Sequence, residues 1–553
     1  MDNILFLGQQ FVQFTILYIY FLLSGRSLYL LLSKSKFIHE KESSSILQIN
    51  KQLIFPILGI FFTGNLLVVI NFILPLKSQF VYIILLIFLL PNAYKLNFKD
   101  LFNLNIKKLF YYFIIPSILL ISSYDILFHY DAGYYHLNNQ NWLRESNLIL
   151  GFVNIFWAFG MSSIYEYISA ILWFDDIFLF LHYLNIIFIQ FFYVLLSENI
   201  LTTKINFLKN SSILILLFSF LDNLGLGGGR NGFIYIQGIG KQDIAVGILF
   251  YFLTIAMISF IITKKIRDIE VVILSLLGFF IFQIKVSGVL ISILYFTMIF
   301  ILVKNKKLTL NKVLILQIPV VIIGLIWLLK TYLLTGCFIF PLNLSCVNNF
   351  SWYIPESTES YELISKESSL NYVSSIPFID WFTKFTNYTF YKNTYLNFLG
   401  SFVILFIAKK LLFNKDRVHM NIFFTASIFV LINIIYLIFY GPIPRYSIGI
   451  SMVSIALLAL FTADLRFDYS KYLSYVLIFL SVVLVVRANS YISFLTNANL
   501  LLFNPVEEAE YMKYNDDWYI PDSGDQCWVN LECSMAQDDV TIDETGFFKV
   551  AYK

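Results

Sequence analysis

Between Tyr124 and Glu145 the chain gathers Asp125, His129, Tyr130, Asp131, Tyr134, Tyr135 and His136, followed by Asn138, Asn139, Trp142 and Arg144. Two carboxylates and two of the chain's five histidines thus fall within twelve residues. They follow directly on an apolar run, 109–124. Titratable groups at such a boundary are costly to desolvate and usually face a polar cavity. A carboxylate there can act as a general base if it reaches an acceptor hydroxyl. Asp131 is equally well placed to cap a helix starting at Ala132. His136 either orients a ligand or is an ordinary interfacial histidine.

Three further places carry chemistry. The stretch 222–242 holds Asp222, Gly225, the run Gly227–Gly229, Arg230, Lys241 and Gln242, with Asp243 just beyond. It lacks the Gly-Lys-Ser/Thr ending of a P-loop. Its glycines still allow close backbone approach to a phosphate, with Arg230 and Lys241 supplying charge; a flexible turn beside interfacial basic residues reads the same way. Lys285 stands between two apolar segments, either snorkelling to headgroups or meeting a buried anion. Arg445 is the sole charge in the turn Gly441-Pro-Ile-Pro-Arg-Tyr446, placed to bind a phosphate or a headgroup. Asp125 and Asp131 are the candidates for a divalent metal, which nothing in the sequence requires. Cys337 and Cys346 lie nine residues apart, Cys527 and Cys533 six apart. Two local disulfides are the simplest pairing; free thiols are the alternative. A zinc site is disfavoured, because no histidine lies near either pair in sequence. Trp352, Trp381 and Trp528 are candidate sugar or cap contacts.

The elements that position these groups follow from composition. Of 553 residues, 59% are hydrophobic and only 13% charged, where a soluble protein carries about a quarter charged. Mean hydropathy is +0.75. These values exclude a soluble globular enzyme, a disordered chain and a nucleic-acid-binding domain. A spanning helix needs about 20 apolar residues, and continuous runs such as Val81–Leu90 do not alternate as barrel strands do. The fold class expected is an all-α polytopic membrane protein of about 14 transmembrane helices. They run roughly over 8–32, 53–75, 78–94, 109–124, 176–197, 211–223, 243–263, 270–284, 287–303, 313–335, 396–414, 419–440, 446–463 and 471–487. Asp2 is the only charge before Arg26, so the first run reads as a retained helix rather than a cleaved signal.

Lys and Arg cluster in alternate connections, among them Lys34–Lys51, Lys95–Lys108, Lys264–Arg267, Lys304–Lys312 and Lys409–Arg417. These connections are expected to be cytoplasmic, which places both termini and the long loops 125–175 and 336–395, with the shorter 222–242, outside. The apolar stretch 148–174, interrupted by Gly151, Asn154, Gly160 and Glu166, would break that alternation if it spanned. It is expected instead as amphipathic helices at the outer interface. The acidic end, 488–553, reads as a small extracytoplasmic cap on a transmembrane domain, 1–487.

An Asp followed within a few residues by Tyr-Tyr or Tyr-His, opening an outer loop at a helix end, resembles the signature of GT-C membrane glycosyltransferases. The closest likeness is to a group of bacterial proteins sharing an Asp-Tyr-His segment, here Asp131, Tyr135 and His136, followed by Trp142, Gly151 and Gly160. They also share a Pro-x-Arg-aromatic turn, here Pro444, Arg445 and Tyr446 with one fewer intervening residue, and a late Cys-Trp, here Cys527–Trp528. The likeness runs over most of the chain. It implies interfacial helices in the first large outer loop and a bacterial inner-membrane location. It implies a polyprenyl-phosphate sugar donor, surrounding membrane lipids, and a glycan, lipid or protein acceptor. Asp131 would be the catalytic base; Tyr135, His136, Arg230, Lys241, Asp243, Lys285 and Arg445 would bind substrate, with Arg445 on the donor phosphate. The sequence departs from GT-C branches with paired acids, since Asp131 is followed by Ala132. A transporter or flippase of lipid-linked glycans, or an envelope polysaccharide polymerase or ligase, is the alternative function.

Overall fold

The computed structural model describes residues 2–34, 51–92, 106–123, 128–161, 163–173, 177–223, 241–347, 349–368, 372, 376–387, 407, 410, 417–440, 444–462, 496, 509–515, 518–534 and 540–553. Their architecture is helical, with four short strands near the C-terminus. Among the described residues, seven helices are long and apolar enough to cross a membrane: Asn3–Ser33, Leu53–Asn71, Phe180–Thr202, Asp243–Thr263, Val286–Lys304, Ile318–Thr335 and Asn421–Tyr440. Three shorter apolar helices, Gln79–Asn92, Asn206–Phe218 and Arg445–Leu460, accompany them. The chain is a helical membrane protein. The expected spans 396–414 and 471–487 lie largely or wholly outside the described residues.

Burial sorts the helices into a centre and a periphery. The Asp243–Thr263 helix is buried over 94% of its apolar window, the Ile318–Thr335 helix over 28%. Large apolar side chains such as Phe80, Phe296, Phe300 and Leu325 stand on the outside. A water-facing surface would not carry so many; a lipid-facing one does. Between helices, lipid supplies no hydrophobic contrast, so close backbone packing matters more. The first pair shows it. A Cβ on Gly25 would stand 1.9 Å from the Phe55 carbonyl oxygen, and one on Gly59 would stand 1.8 Å from that of Phe21. Only glycine permits that crossing.

The two ends of the bundle differ. One end is tied by Lys107–Glu198 at 2.6 Å, Lys312–Asp268 at 2.8 Å and Arg267–Glu270 at 3.0 Å. Lys34, Lys264, Lys265, Lys304, Lys306 and Arg417 sit at that end, at or just beyond helix ends. The opposite end carries the loops and the candidate site.

The segment 148–173 departs from the expected amphipathic helices. It forms short turns at Phe152–Asn154 and Trp157–Met161 and a seven-residue helix, Ile164–Ala170, in which every residue is buried. Such a helix has no face to give to a lipid surface. It packs on the Lys51–Asn71 and Leu137–Glu145 helices instead, and its acid finds a protein partner there: Glu166 accepts from Gln140 Nε2 at 2.8 Å.

Near the C-terminus, strands Tyr511–Lys513 and Tyr519–Pro521 pair antiparallel, as do Thr541–Asp543 and Val550–Tyr552. These pieces share an apolar cluster with the first loop, Trp518, Val540 and Ala551 packing with Trp142, Phe152 and Phe156. Backbone bonds Leu150 N–H to Lys549 O and Ala551 N–H to Leu150 O, both 2.9 Å, stitch the two together. Disulfides join Cys337 to Cys346 and Cys527 to Cys533.

Candidate functional site

The site is built on the turn 129–136. Ala132–His136 is a single π-helical turn continuing into the Leu137–Glu145 helix. Such turns insert one residue into the helical register and recur at functional sites. Asp131 does not cap this turn with its side chain. Its carboxylate is instead bonded to Lys241 and lies 3.5 Å from His129 Nδ1. The cap clamps the turn from outside. Trp528 N–H donates to the Gly133 carbonyl at 2.9 Å, and a Cβ on Gly133 would meet the Trp528 ring at 2.8 Å. Asn141 donates to the Val529 carbonyl at 2.7 Å, Asn138 to that of Asn530, and Tyr130 to Asp525.

A second ion cluster stands beside the first. Asp243, buried at the N-terminus of the central helix, accepts from Lys285 Nζ at 2.6 Å and lies 3.1 Å from Arg445 Nε. Lys285 also stands over the Tyr446 ring, 3.2 Å from its centroid. Two glycines bring these elements together. A Cβ on Gly247 would stand 2.7 Å from Ile448 Cγ2, and one on Gly449 would stand 2.9 Å from Phe250 Cβ. The helices starting at Asp243 and Ile448 therefore pack closely within about a turn of their N-termini, which sets Arg445 beside Asp243.

A third group is the Glu166 carboxylate. It is buried and accepts from His136 Nδ1 at 2.5 Å, Gln140 Nε2 at 2.8 Å and Gln242 Nε2 at 3.0 Å. All three groups line one cavity of about 280 Å3, together with Trp327, Thr331, Phe340, Tyr436 and Tyr440. Lys330, one residue from Thr331, is fully buried with its ammonium 3.6 Å from the Trp327 ring centroid.

The electrostatics of the first pair are opposed. Burial pushes the Asp131 carboxyl up, but the His129 hydrogen bond and the Lys241 ammonium outweigh it, holding the carboxyl well below the usual range. Burial and the nearby Arg445 charge pull the Lys241 ammonium down, against Asp131 and Asp243, which support it. Burial, then the charges of Asp131 and Glu166, push the Tyr135 phenol well up, so it stays neutral. Lys241, Lys285 and Arg445 outnumber Asp131 and Asp243, the carboxylates they pair with.

Of the residues singled out in the sequence, Asp131, Tyr135, His136, Lys241, Asp243, Lys285 and Arg445 all line this cavity. Arg230 and Asp125 lie outside the described residues. Among the described residues no cluster of three or more His, Cys, Asp or Glu side chains could hold a metal ion. Trp352, Trp381 and Trp528 are buried against protein, on Phe350, Phe439 and Phe128 respectively, and none lines the cavity. In the sequence Glu166 reads only as an interruption of an apolar stretch. A lone acid in a run that otherwise reads as buried was the available signal, since such a group must find partners.

A family model described as Domain of unknown function (DUF8201) matches residues 11–452, most of the chain, and the chain belongs to that family. The match takes in every cavity residue named above and ends before the cap. No curated protein and no solved structure matches the chain.

Proposed function

We propose that this member of the family is an integral-membrane glycosyltransferase. It moves a sugar from a polyprenyl-phosphate donor to a glycan, lipid or protein acceptor of the cell envelope. One observation carries the reading: Lys241, Lys285 and Arg445, from three separate elements, converge on a cavity at the end of an apolar bundle. Lys285 and Arg445 share a single carboxylate, Asp243, so both keep N–H donors that a phosphodiester monoanion can occupy. An arginine fork suits phosphate oxygens. The phosphate gains charge as it departs, so these cations act more strongly on the transition state than on the bound donor.

The side of the membrane supports the donor class. Basic residues gather at the bundle end opposite the cavity, and basic turns stay cytoplasmic. The cavity then faces the extracytoplasmic side, where a membrane-held donor is available and a cytoplasmic nucleotide sugar is not.

The test is transfer from a panel of radiolabelled polyprenyl-phosphate sugars by the purified protein in lipid. Arg445→Gln is expected to lower kcat/KM about 100-fold or more, the scale of losing a charge-assisted phosphate contact at a leaving group. No transfer from any donor by the wild-type protein, or a variant as active as wild type, overturns the reading.

A further inference from the structure

We infer that His136, held by Glu166, is the group that takes the acceptor's proton, with Asp131 kept ionised as the counter-charge of Lys241; this rests on the glycosyl-transfer reading. Of the cavity's three carboxylates, Asp131 and Glu166 have partners of different kinds. Asp131 is bonded to a full cation, Lys241. Glu166, among the described residues, accepts from the imidazole of His136 and from two neutral amides, Gln140 and Gln242. A carboxylate already balanced by an ammonium is a poor proton acceptor. One held by amides keeps its charge for the ring beside it.

The geometry also fixes the tautomer. A neutral imidazole carries one proton, and a carboxylate oxygen 2.5 Å from Nδ1 is an acceptor, so the proton sits on Nδ1. The lone pair is then on Nε2, and the ring lines the cavity. When Nε2 takes a proton, the imidazolium formed is stabilised by Glu166, as a buried carboxylate stabilises the histidine of a hydrolase triad. Glu166 is itself fixed by the two amides and by its place in a buried helix, so it is a positioning residue and His136 the catalytic one.

The step balances. The acceptor hydroxyl oxygen forms a bond to the anomeric carbon while its proton passes to Nε2. The bond from that carbon to the phosphate oxygen breaks, and its electron pair leaves with the phosphate, which becomes a dianion among Lys241, Lys285 and Arg445. The Nε2 proton then passes to that phosphate or to water, restoring the resting ring.

The tautomer is tested without any assay of transfer. The full-length protein, labelled with 15N-histidine and held in lipid, is compared by solid-state NMR with His136→Asn, which identifies the ring among five histidines. The expected spectrum at neutral pH has a protonated, strongly hydrogen-bonded Nδ1 and a bare Nε2, and Glu166→Gln breaks that tautomer into a mixture. A resting imidazolium, or a proton on Nε2, overturns the inference. In the transfer assay, His136→Asn is expected to lower kcat about 100-fold or more with KM within about threefold, and Glu166→Asp to recover more kcat than Glu166→Gln. Full kcat in His136→Asn overturns the assignment. If the wild-type protein transfers nothing while the tautomer stands, the glycosyl-transfer reading falls and takes the base role with it, leaving the dyad as geometry.

Discussion

Asp131 and Glu166 show how partners, rather than residue type, set a carboxylate's work. Both line the same cavity; one is neutralised by an ammonium and the other braces an imidazole. Removing the charge of Asp131 therefore acts first on Lys241, which loses the partner that, in the proposed reaction, holds it at the donor phosphate. Asp131→Asn is expected to raise KM for the donor about tenfold while changing kcat less, the reverse of the split for His136→Asn. Equal loss of kcat in both variants would sink this division of labour. The same pairing has a pH signature. Because the folded Asp131 carboxyl is held below its ordinary value, its contribution to stability is present above the unfolded value of about 4 and is lost as pH falls below it. The gap in thermal stability between wild type and Asp131→Asn should be widest near neutral pH and should narrow below about pH 4. A gap that stays constant down to pH 3 would show that the ion pair contributes nothing to folding.

At the scale of elements, the site depends on backbones that touch. Gly247 and Gly449 let the central helix and the late helix approach closely, and Asp243 and Arg445 ride on their ends. Gly449→Val must push Phe250 aside, an overpacking that costs about 1–3 kcal/mol, and it separates the pair. The expected result is a lowered unfolding temperature and weakened donor binding. Gly278→Ala is the control. Its Cβ would meet only Ile291 at 3.7 Å, so it is expected to be neutral or to stabilise by up to about 1 kcal/mol. If both variants behave alike, the close crossing does not position the site. This dependence also explains what was legible beforehand. Apolar runs are a direct signal in lipid, and every described helix that is long and apolar enough to span falls on a run visible in the sequence. Lys285 and Arg445 stood out because a charge between apolar segments has few places to go. Their meeting at Asp243 was not legible, since it is a product of helix crossings between residues 42 and 202 positions apart in the chain. Glu166 was hidden for a related reason. Hydropathy averages a single acid away in an apolar stretch, and the buried fold of 148–173 depends on partners from several other segments, among them Asn71, Leu333, Trp352, Ile284 and Lys549, rather than on an amphipathic pattern of its own.

For the whole molecule, the cavity and the cap lie at one end of the bundle and the basic turns at the other, so sidedness decides which substrates the site can meet. The four cysteines are all in disulfides. Disulfides persist in an oxidising compartment, and both bonds sit at the cavity end, so the redox argument and the charge argument both favour the sidedness that the proposed function takes. They rest on different chemistry and can fail separately. The absence of a free cysteine also makes the measurement clean, because an introduced thiol is the only one that a maleimide can find. Glu544→Cys falls in the cap, at an exposed position, and Lys306→Cys in an exposed turn at the opposite end. In intact cells an impermeant maleimide is expected to label the first and not the second, and permeabilisation is expected to expose the second. Labelling in the reverse order would turn the cavity towards the cytoplasm. The cation cluster would then face soluble nucleotide sugars and metabolite phosphates. The convergence of Lys241, Lys285 and Arg445 would still describe an anion site, but the argument for a lipid-borne donor would be gone.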